Sequence, residues 1–134
     1  MENFYHFIAS VFPVLYIEPS ENGAQVFTLD LHGCYLSLIL FMDAVHAMRM
    51  EASLREIWDS LHKWDDMAFS VLHTQYKGDA NEELDLRVLE IYEDASFSLG
   101  YGVLDDPDNL HLFVPFKRQG KTYIPGTELQ MQTY

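Results

Sequence analysis

Basic residues are scarce in this sequence. Its 134 residues include 8 Lys and Arg against 21 Asp and Glu, which gives a formal net charge of −13 at pH 7. Such a charge creates a negative potential that repels polyanions and attracts basic surfaces. Direct binding to nucleic acid is therefore disfavoured, and the expected partner is a basic protein.

Cysteine and long apolar runs are also nearly absent. Cys34 is the only cysteine, so no disulfide can form within the chain, and this usage is typical of a reducing compartment. The longest apolar run, over residues 36–42 with Ser37 inside it, is much shorter than the roughly 20 residues that a membrane helix needs. The N-terminus begins with an acid, Glu2, and lacks the features of a signal peptide. We therefore predict a cytoplasmic protein with no membrane span.

The common catalytic motifs are missing as well. The sequence has no G-x-S-x-G, no glycine-rich phosphate loop, no H-E-x-x-H and no paired cysteines, so it lacks the usual signatures of hydrolases, nucleotide-binding proteins and metal sites. D-x-x-H occurs twice, at 43–46 and 59–62, and in a helix this spacing would place a carboxylate and an imidazole on one face. A carboxylate-bridged metal centre also needs Glu residues from further helices, for which the chain has no room. We predict helix caps or surface charge pairs at these positions, with no metal, no cofactor and no enzymatic activity.

Three other side chains could have functional roles. Cys34 lies near His32 in the sequence, but the imidazole is poorly placed to activate the thiol, and we predict that Cys34 is a small buried side chain. Trp58 and Trp64 are six residues apart, which puts them on roughly opposite sides of a helix. One of them could then be an exposed interface anchor; alternatively, Trp64 packs beneath the segment that follows.

The hydrophobic pattern predicts one α+β domain over residues 1–134. Apolar residues make up 49% of the sequence, which is far more than a disordered acidic chain contains. Helical spacing of apolar residues over 2–12 predicts a short N-terminal helix, which Pro13 ends. Antiparallel strands are predicted next, over residues 14–18, 27–32 and 35–41, of which the last could instead begin the following helix. An Asn-Gly pair between the first two strands indicates a hairpin.

The middle of the chain has the strongest helical pattern. From Asp43 to about Tyr76, apolar residues recur at spacings of three and four, which predicts a long helical region that Asp43 can cap. The Asp65-Asp66 pair could interrupt it, followed by more helix or a strand. Beyond this region, alternating patterns predict an antiparallel meander with strands over residues 84–92, 97–103, 110–116 and 121–124. No clear pattern is present from Pro125 onward.

The negative charge is concentrated in one part of the chain. Between residues 79 and 108 there are ten acids and a single base, Arg87. The first and last of the three loops that carry these acids can lie at the same end of a meander and form one patch. A solvated surface that keeps the protein soluble is the alternative interpretation. The predicted partner-binding residues are Asp79, Glu82, Glu83, Asp85, Glu90, Glu93, Asp94, Asp105, Asp106 and Asp108.

These properties are typical of a small acidic binding protein, and three kinds are considered. The first, which we predict, is an immunity protein or antitoxin that inhibits a basic toxin nuclease by covering its active or nucleic-acid-binding site. The second is an acidic secretion chaperone for an effector protein, a class with similar length and charge; its members usually finish in a helix, whereas strands are predicted here. The third is a DNA-mimic inhibitor of a host nuclease, whose carboxylates would need the spacing of phosphates, about one charge per 1.7 Å of helix axis.

Overall fold

A computed structural model describes residues 2–21, 23–75, 84–103, 110–126 and 129–133. A short N-terminal helix precedes three strands, a helical middle and a second group of strands, which is an α+β arrangement. The helices are α1 (Glu2–Val11), α2 (Ala44–Arg49), α3 (Glu51–Asp59) and α4 (Leu61–Gln75). The strands are β1 (Val14–Glu21), β2 (Ala24–Leu31), β3 (Cys34–Phe41), β4 (Leu84–Tyr92), β5 (Phe97–Val103), β6 (Leu110–Gln119), β7 (Thr122–Pro125) and β8 (Gln130–Thr133).

The strands form one sheet in the order of the sequence, from β1 to β7. β8 pairs with β6, alongside the part of β6 that β7 does not reach. The pairing of β3 with β4 is parallel, whereas the other pairings are antiparallel. A parallel connection needs a crossover, and the segment from α2 to α4 supplies it.

Two tight turns set the register of the first three strands. Gly23, with φ +79°, lies between β1 and β2, as the Asn-Gly pair predicts. His32 and Gly33 both have positive φ values, of 51° and 86°, between β2 and β3. Two consecutive positive φ values match the twist that a two-residue hairpin needs. The Gly33 N–H donates to the Asp30 carboxylate at 3.0 Å, which stabilises this turn.

The helices cover one face of the sheet. Leu54, Ile57, Trp64, Ala68 and Leu72 point from α3 and α4 into the core. The sheet contributes alternate residues of its strands, which the period of two places on one side. These sheet residues are Phe27, Leu29, Leu36, Leu38, Leu40, Leu89, Ile91, Phe97, Leu99, Tyr101, Val103, Leu112, Val114, Phe116 and Tyr123.

The long helical region of the sequence is divided into three helices. The breaks fall at Met50 and Ser60, so the predicted interruption at Asp65-Asp66 is wrong. Asp65 lies inside α4, where its carboxylate accepts a hydrogen bond from the buried Tyr101 hydroxyl. Burial and this negative partner raise the pKa of Tyr101 far above its ordinary value.

The break at Ser60 also changes the expectation for the two tryptophans. α4 starts after it as a separate helix, so the expectation of opposite sides, which assumed one continuous helix, does not apply. Trp64 is buried, and its Nε1–H donates to the Ile57 carbonyl at 3.1 Å. Trp58 is half-buried and packs edge-on against Phe12 at 5.6 Å. Neither tryptophan is an exposed anchor.

Several strand predictions are confirmed with small changes of boundary. The segment over 35–41 is a strand, the segment over 67–75 is helix, and β4 and β5 begin and end at the predicted residues. β8 has no counterpart in the prediction, because Gln130–Thr133 is mostly polar and its pairing is set by β6. Among the described residues, no helix is long and apolar enough to cross a membrane.

Candidate functional site

Four of the ten predicted binding acids lie in the described part of the chain. Asp85 and Glu90 are within β4, and Glu93 and Asp94 form the exposed turn after it. Glu90 is therefore a strand residue and not part of the turn, where the sequence placed it. The acids that lie outside the described residues are Asp79, Glu82, Glu83, Asp105, Asp106 and Asp108. The merging of the first and last acidic loops into one patch stays a prediction.

The sheet face opposite the helices is the main candidate for a functional surface. We call it the open face. Its side chains alternate with those of the core, and the strand registers align them in rows across the sheet. Its residues are Tyr16, Glu18, Val26, Thr28, Asp30, Tyr35, Ser37, Ile39, Phe41, Asp85, Val88, Glu90, Tyr92, Ser98, Gly100, Gly102, His111, Phe113, Pro115 and Lys117.

Exposed aromatic rings mark the side of the open face formed by β1 to β3. Tyr16 is 59% exposed, Tyr35 is 68% exposed and Phe41 is 39% exposed. Asp30 pairs directly with Tyr35, and Glu18 accepts a hydrogen bond from the Thr28 hydroxyl at 3.1 Å. Aromatic rings and carboxylates are therefore neighbours on this part of the sheet, on the side opposite the described helices.

The centre of the open face contains a buried carboxyl group. Glu90 is 7% exposed and pairs with Ile39 on one side and Ser98 on the other. Its Oε1 accepts a hydrogen bond of 3.1 Å from the Tyr92 hydroxyl. The Tyr92 ring stacks on Phe41, with centroids 5.2 Å apart and planes within 6°. Burial raises the pKa of Glu90, and the Tyr92 bond opposes that rise in part.

Two glycines of β5 allow large side chains to lie flat on the open face. A Cβ at Gly100 would come within 2.5 Å of the Phe113 ring, and one at Gly102 would come equally close to the Arg87 guanidinium. Arg87 lies where a β-bulge separates Leu86 from Val88 in the pairing with β5, and it is 3.8 Å from Asp85. Phe113 is consequently buried although it points away from the main core.

A shallow cavity of about 430 Å³ lies beside this centre. It is lined by Tyr92, Ser98, Pro115, Lys117 and Gln130, among others, and the turn acids Glu93 and Asp94 form part of its rim. Hydrogen bonds from Ser96 lower the pKa of Asp94, so this carboxylate stays ionised.

The described charges on the open face and at its rim are mostly negative. The acids are Glu18, Asp30, Asp85, Glu90, Glu93 and Asp94, and the bases are Arg87 and Lys117. On the helical side, two acids are neutralised by close ion pairs, Glu51 with Arg55 at 2.9 Å and Glu56 with Arg118 at 2.6 Å. The closest described pair on the open face is the longer contact of Arg87 with Asp85.

The sequence did not indicate the part of this surface formed by β1 to β3. Its acids, Glu18 and Asp30, lie far from residues 79–108, where charge is dense along the chain. The usable signal was in β2, where Thr28 and Asp30 alternate with apolar residues, which shows that one face of this strand is not core. β3 has no such signal, because Ile39 and Phe41 on its open side are apolar.

The structure explains the first D-x-x-H pair as a helix cap and places Cys34 at the surface. Asp43 is the N-cap of α2 and accepts from the His46 backbone N–H at 2.8 Å, as a capping residue does. The His46 ring contacts the Glu93 carbonyl at 3.0 Å. In the described part of the chain, no three His, Cys, Asp or Glu side chains are grouped to hold a metal ion. Cys34 is exposed at the start of β3, so the prediction of a buried thiol is wrong.

No family model, no curated protein and no solved structure matches this chain.

Glu90 provides a test of the electrostatics of this face. Because the pKa of Glu90 is raised in the folded state, its ionisation is unfavourable there, and stability should fall as the pH rises from the unfolded-state pKa through the folded-state pKa. Glu90→Gln should then raise the free energy of unfolding at pH 7 by on the order of 1 kcal/mol. The gain should vanish below the unfolded-state pKa.

Urea denaturation between pH 3 and pH 8 (about the range in which carboxyl groups titrate) measures this pH dependence, with the exposed Glu93→Gln as the control. A gain that is equal at both ends of the range would contradict the interpretation.

Proposed function

We propose that this chain is a non-catalytic binding protein that recognises a basic protein through the open face of its sheet. In this proposal it acts in the cytoplasm as an immunity protein or antitoxin does, by covering the active or nucleic-acid-binding site of a toxin nuclease. The observation that carries the proposal is the combination of exposed aromatic rings with carboxylates on a face that none of the described helices covers.

The aromatic side chains support a protein partner. Tyr16, Tyr35 and Phe41 present large rings to solvent, and aromatic residues are enriched among the side chains that dominate protein interfaces. Rings of this kind supply contact area at a low entropic cost, since two torsions fix each of them. The exposed Tyr35 next to Asp30 offers both an apolar surface and a negative group to one incoming residue.

The charge supports a basic partner. A net charge of −13 attracts a cationic surface over a distance of roughly one Debye length, about 8 Å at physiological salt. Glu18 and Asp30 lie on the open face beside Tyr16 and Tyr35, and Glu93 and Asp94 follow Tyr92, whose ring stacks on Phe41. Complementary charges at the rim of an interface accelerate association and select against acidic competitors.

Matched charge variants test the proposal. The partner is first captured on the immobilised chain from cells that encode it, and is expected to be a basic protein. Glu18→Gln with Asp30→Asn should then weaken its binding about tenfold, which corresponds to about 1.4 kcal/mol. Asp59→Asn with Asp66→Asn removes the same charge from exposed positions of the helical layer and should weaken binding much less.

Binding rates at two salt concentrations complete this test. The open-face variant should lower the association rate at low salt, and the difference should shrink at high salt. Equal losses for the two variants would show that net charge alone acts, and an association rate independent of salt would remove the basis for a basic partner.

A further inference from the structure

β1 is an edge strand with one unpaired side. It is the first strand of the sheet order and pairs with β2. Among the described residues, no other strand pairs with it. The N–H and C=O groups on the outer side of an edge strand can bind a further strand.

The first part of β1 is apolar, whereas the acids and the proline of this strand lie in its second part, from Glu18 to Glu21. Leu15, Tyr16 and Ile17 are consecutive and are 47%, 59% and 51% exposed. Sheet edges in native proteins are commonly protected by charged residues, particularly lysine. The register with β2 is regular from Tyr16 to Glu18, between one irregularity after Val14 and a second between Glu18 and Glu21, so these three residues can pair with a further strand.

The two sides of β1 differ in chemistry. Ile17 points to the helical side of the sheet, opposite Phe27, whereas Tyr16 and Glu18 point to the open face. A strand added at this edge would therefore place every second side chain beside the apolar Ile17. Its other side chains would lie beside Tyr16 and Glu18. Asp30, on the same face of β2, adds a second negative charge nearby.

We propose that β1 binds an extended segment of the basic partner as an additional strand, in which apolar residues alternate with Lys or Arg. The proposal rests on the function proposed above. It states which part of the basic partner binds: an extended segment that adds to the sheet at its β1 edge. Backbone hydrogen bonds provide the affinity in this mode of recognition, and alternate side chains provide the specificity. A second copy of the chain is disfavoured as the occupant, because two bodies of charge −13 repel one another.

Two short peptides test the proposal without the natural partner. One is a seven-residue (about the length of a typical strand) acetylated and amidated peptide in which valine alternates with lysine, and the other has glutamate in place of each lysine. Amide hydrogen exchange of β1 is followed by nuclear magnetic resonance. The lysine peptide should slow exchange in β1 by about tenfold, and the glutamate peptide should have no effect. Equal protection by both peptides, or by neither, would overturn the proposal.

Edge variants separate this proposal from the proposed function. Leu15→Lys with Ile17→Lys places charge on the edge and should abolish protection by the lysine peptide, whereas Val45→Lys with Met48→Lys makes the same change of charge on exposed positions of α2 and should not. Binding of the captured partner is the second measurement. If the edge variant and the α2 variant bind it equally, but Glu18→Gln with Asp30→Asn binds it more weakly, the edge proposal fails and the proposed function stands. Protection of β1 that rises with protein concentration alone, together with a dimer by light scattering, would assign the edge to a second copy and contradict the proposal.

Discussion

Replacing Trp64 with alanine should lower the free energy of unfolding by about 4 kcal/mol. The indole is buried between α4 and the C-terminal strands and contacts the rings of Phe97, Phe116 and Tyr123, with centroids 5.9, 6.0 and 5.5 Å away. Alanine would remove these contacts, leave a cavity and unpair the Ile57 carbonyl from the indole N–H. Urea denaturation at constant pH measures the effect.

Trp58→Ala is the matched control for this prediction. Trp58 is half-buried and has an edge-on contact with Phe12, so its loss should cost about 2 kcal/mol, near the lower end of the range for large core deletions. Equal losses of stability in the two variants would contradict the difference in burial between Trp64 and Trp58.

Gly100→Val should have the second largest effect, a loss of about 3 kcal/mol. The φ of Gly100 is not in the left-handed region, so the backbone accepts valine, and the cost is steric. Phe113 lies over the position that the new side chain would occupy, 2.5 Å from an added Cβ. Its ring would have to leave the open face, where it is buried.

A second substitution shows whether this steric contact is the cause. Phe113→Leu removes the atoms that the added side chain meets, so the double variant should be more stable than the sum of the two single changes predicts, by about 1 kcal/mol or more. Strict additivity would mean that Phe113 does not lie on Gly100.

Much of the secondary structure follows from local patterns in the sequence. β4 and β5 alternate polar or small residues with apolar ones that face the core, and Gly33 follows a strand where a two-residue turn is needed. The break at Ser60 has no such signal, since neither Gly nor Pro marks it. β8 depends on the unpaired half of β6 and not on its own polar residues.

The candidate site was less accessible from the sequence. The density of charge along the chain points to residues 79–108, where Glu93 and Asp94 are exposed. It could not show that Glu90 is buried, because its burial comes from β3 and β5 on either side. The grouping of Tyr16, Asp30 and Glu90 on one face requires the parallel pairing of β3 with β4, which is a contact between distant segments.

The central claim, that the open face is the partner-binding surface, is tested most directly by hydroxyl-radical footprinting of the chain alone and in its complex with the captured partner. The account predicts that Tyr16, Tyr35 and Phe41, which are exposed in the chain, are protected in the complex. Met48 of α2 and Trp58 of α3 report on the helical side and should react at the same rate in both samples. Protection of Met48 and Trp58, with Tyr16, Tyr35 and Phe41 unchanged, would contradict the account.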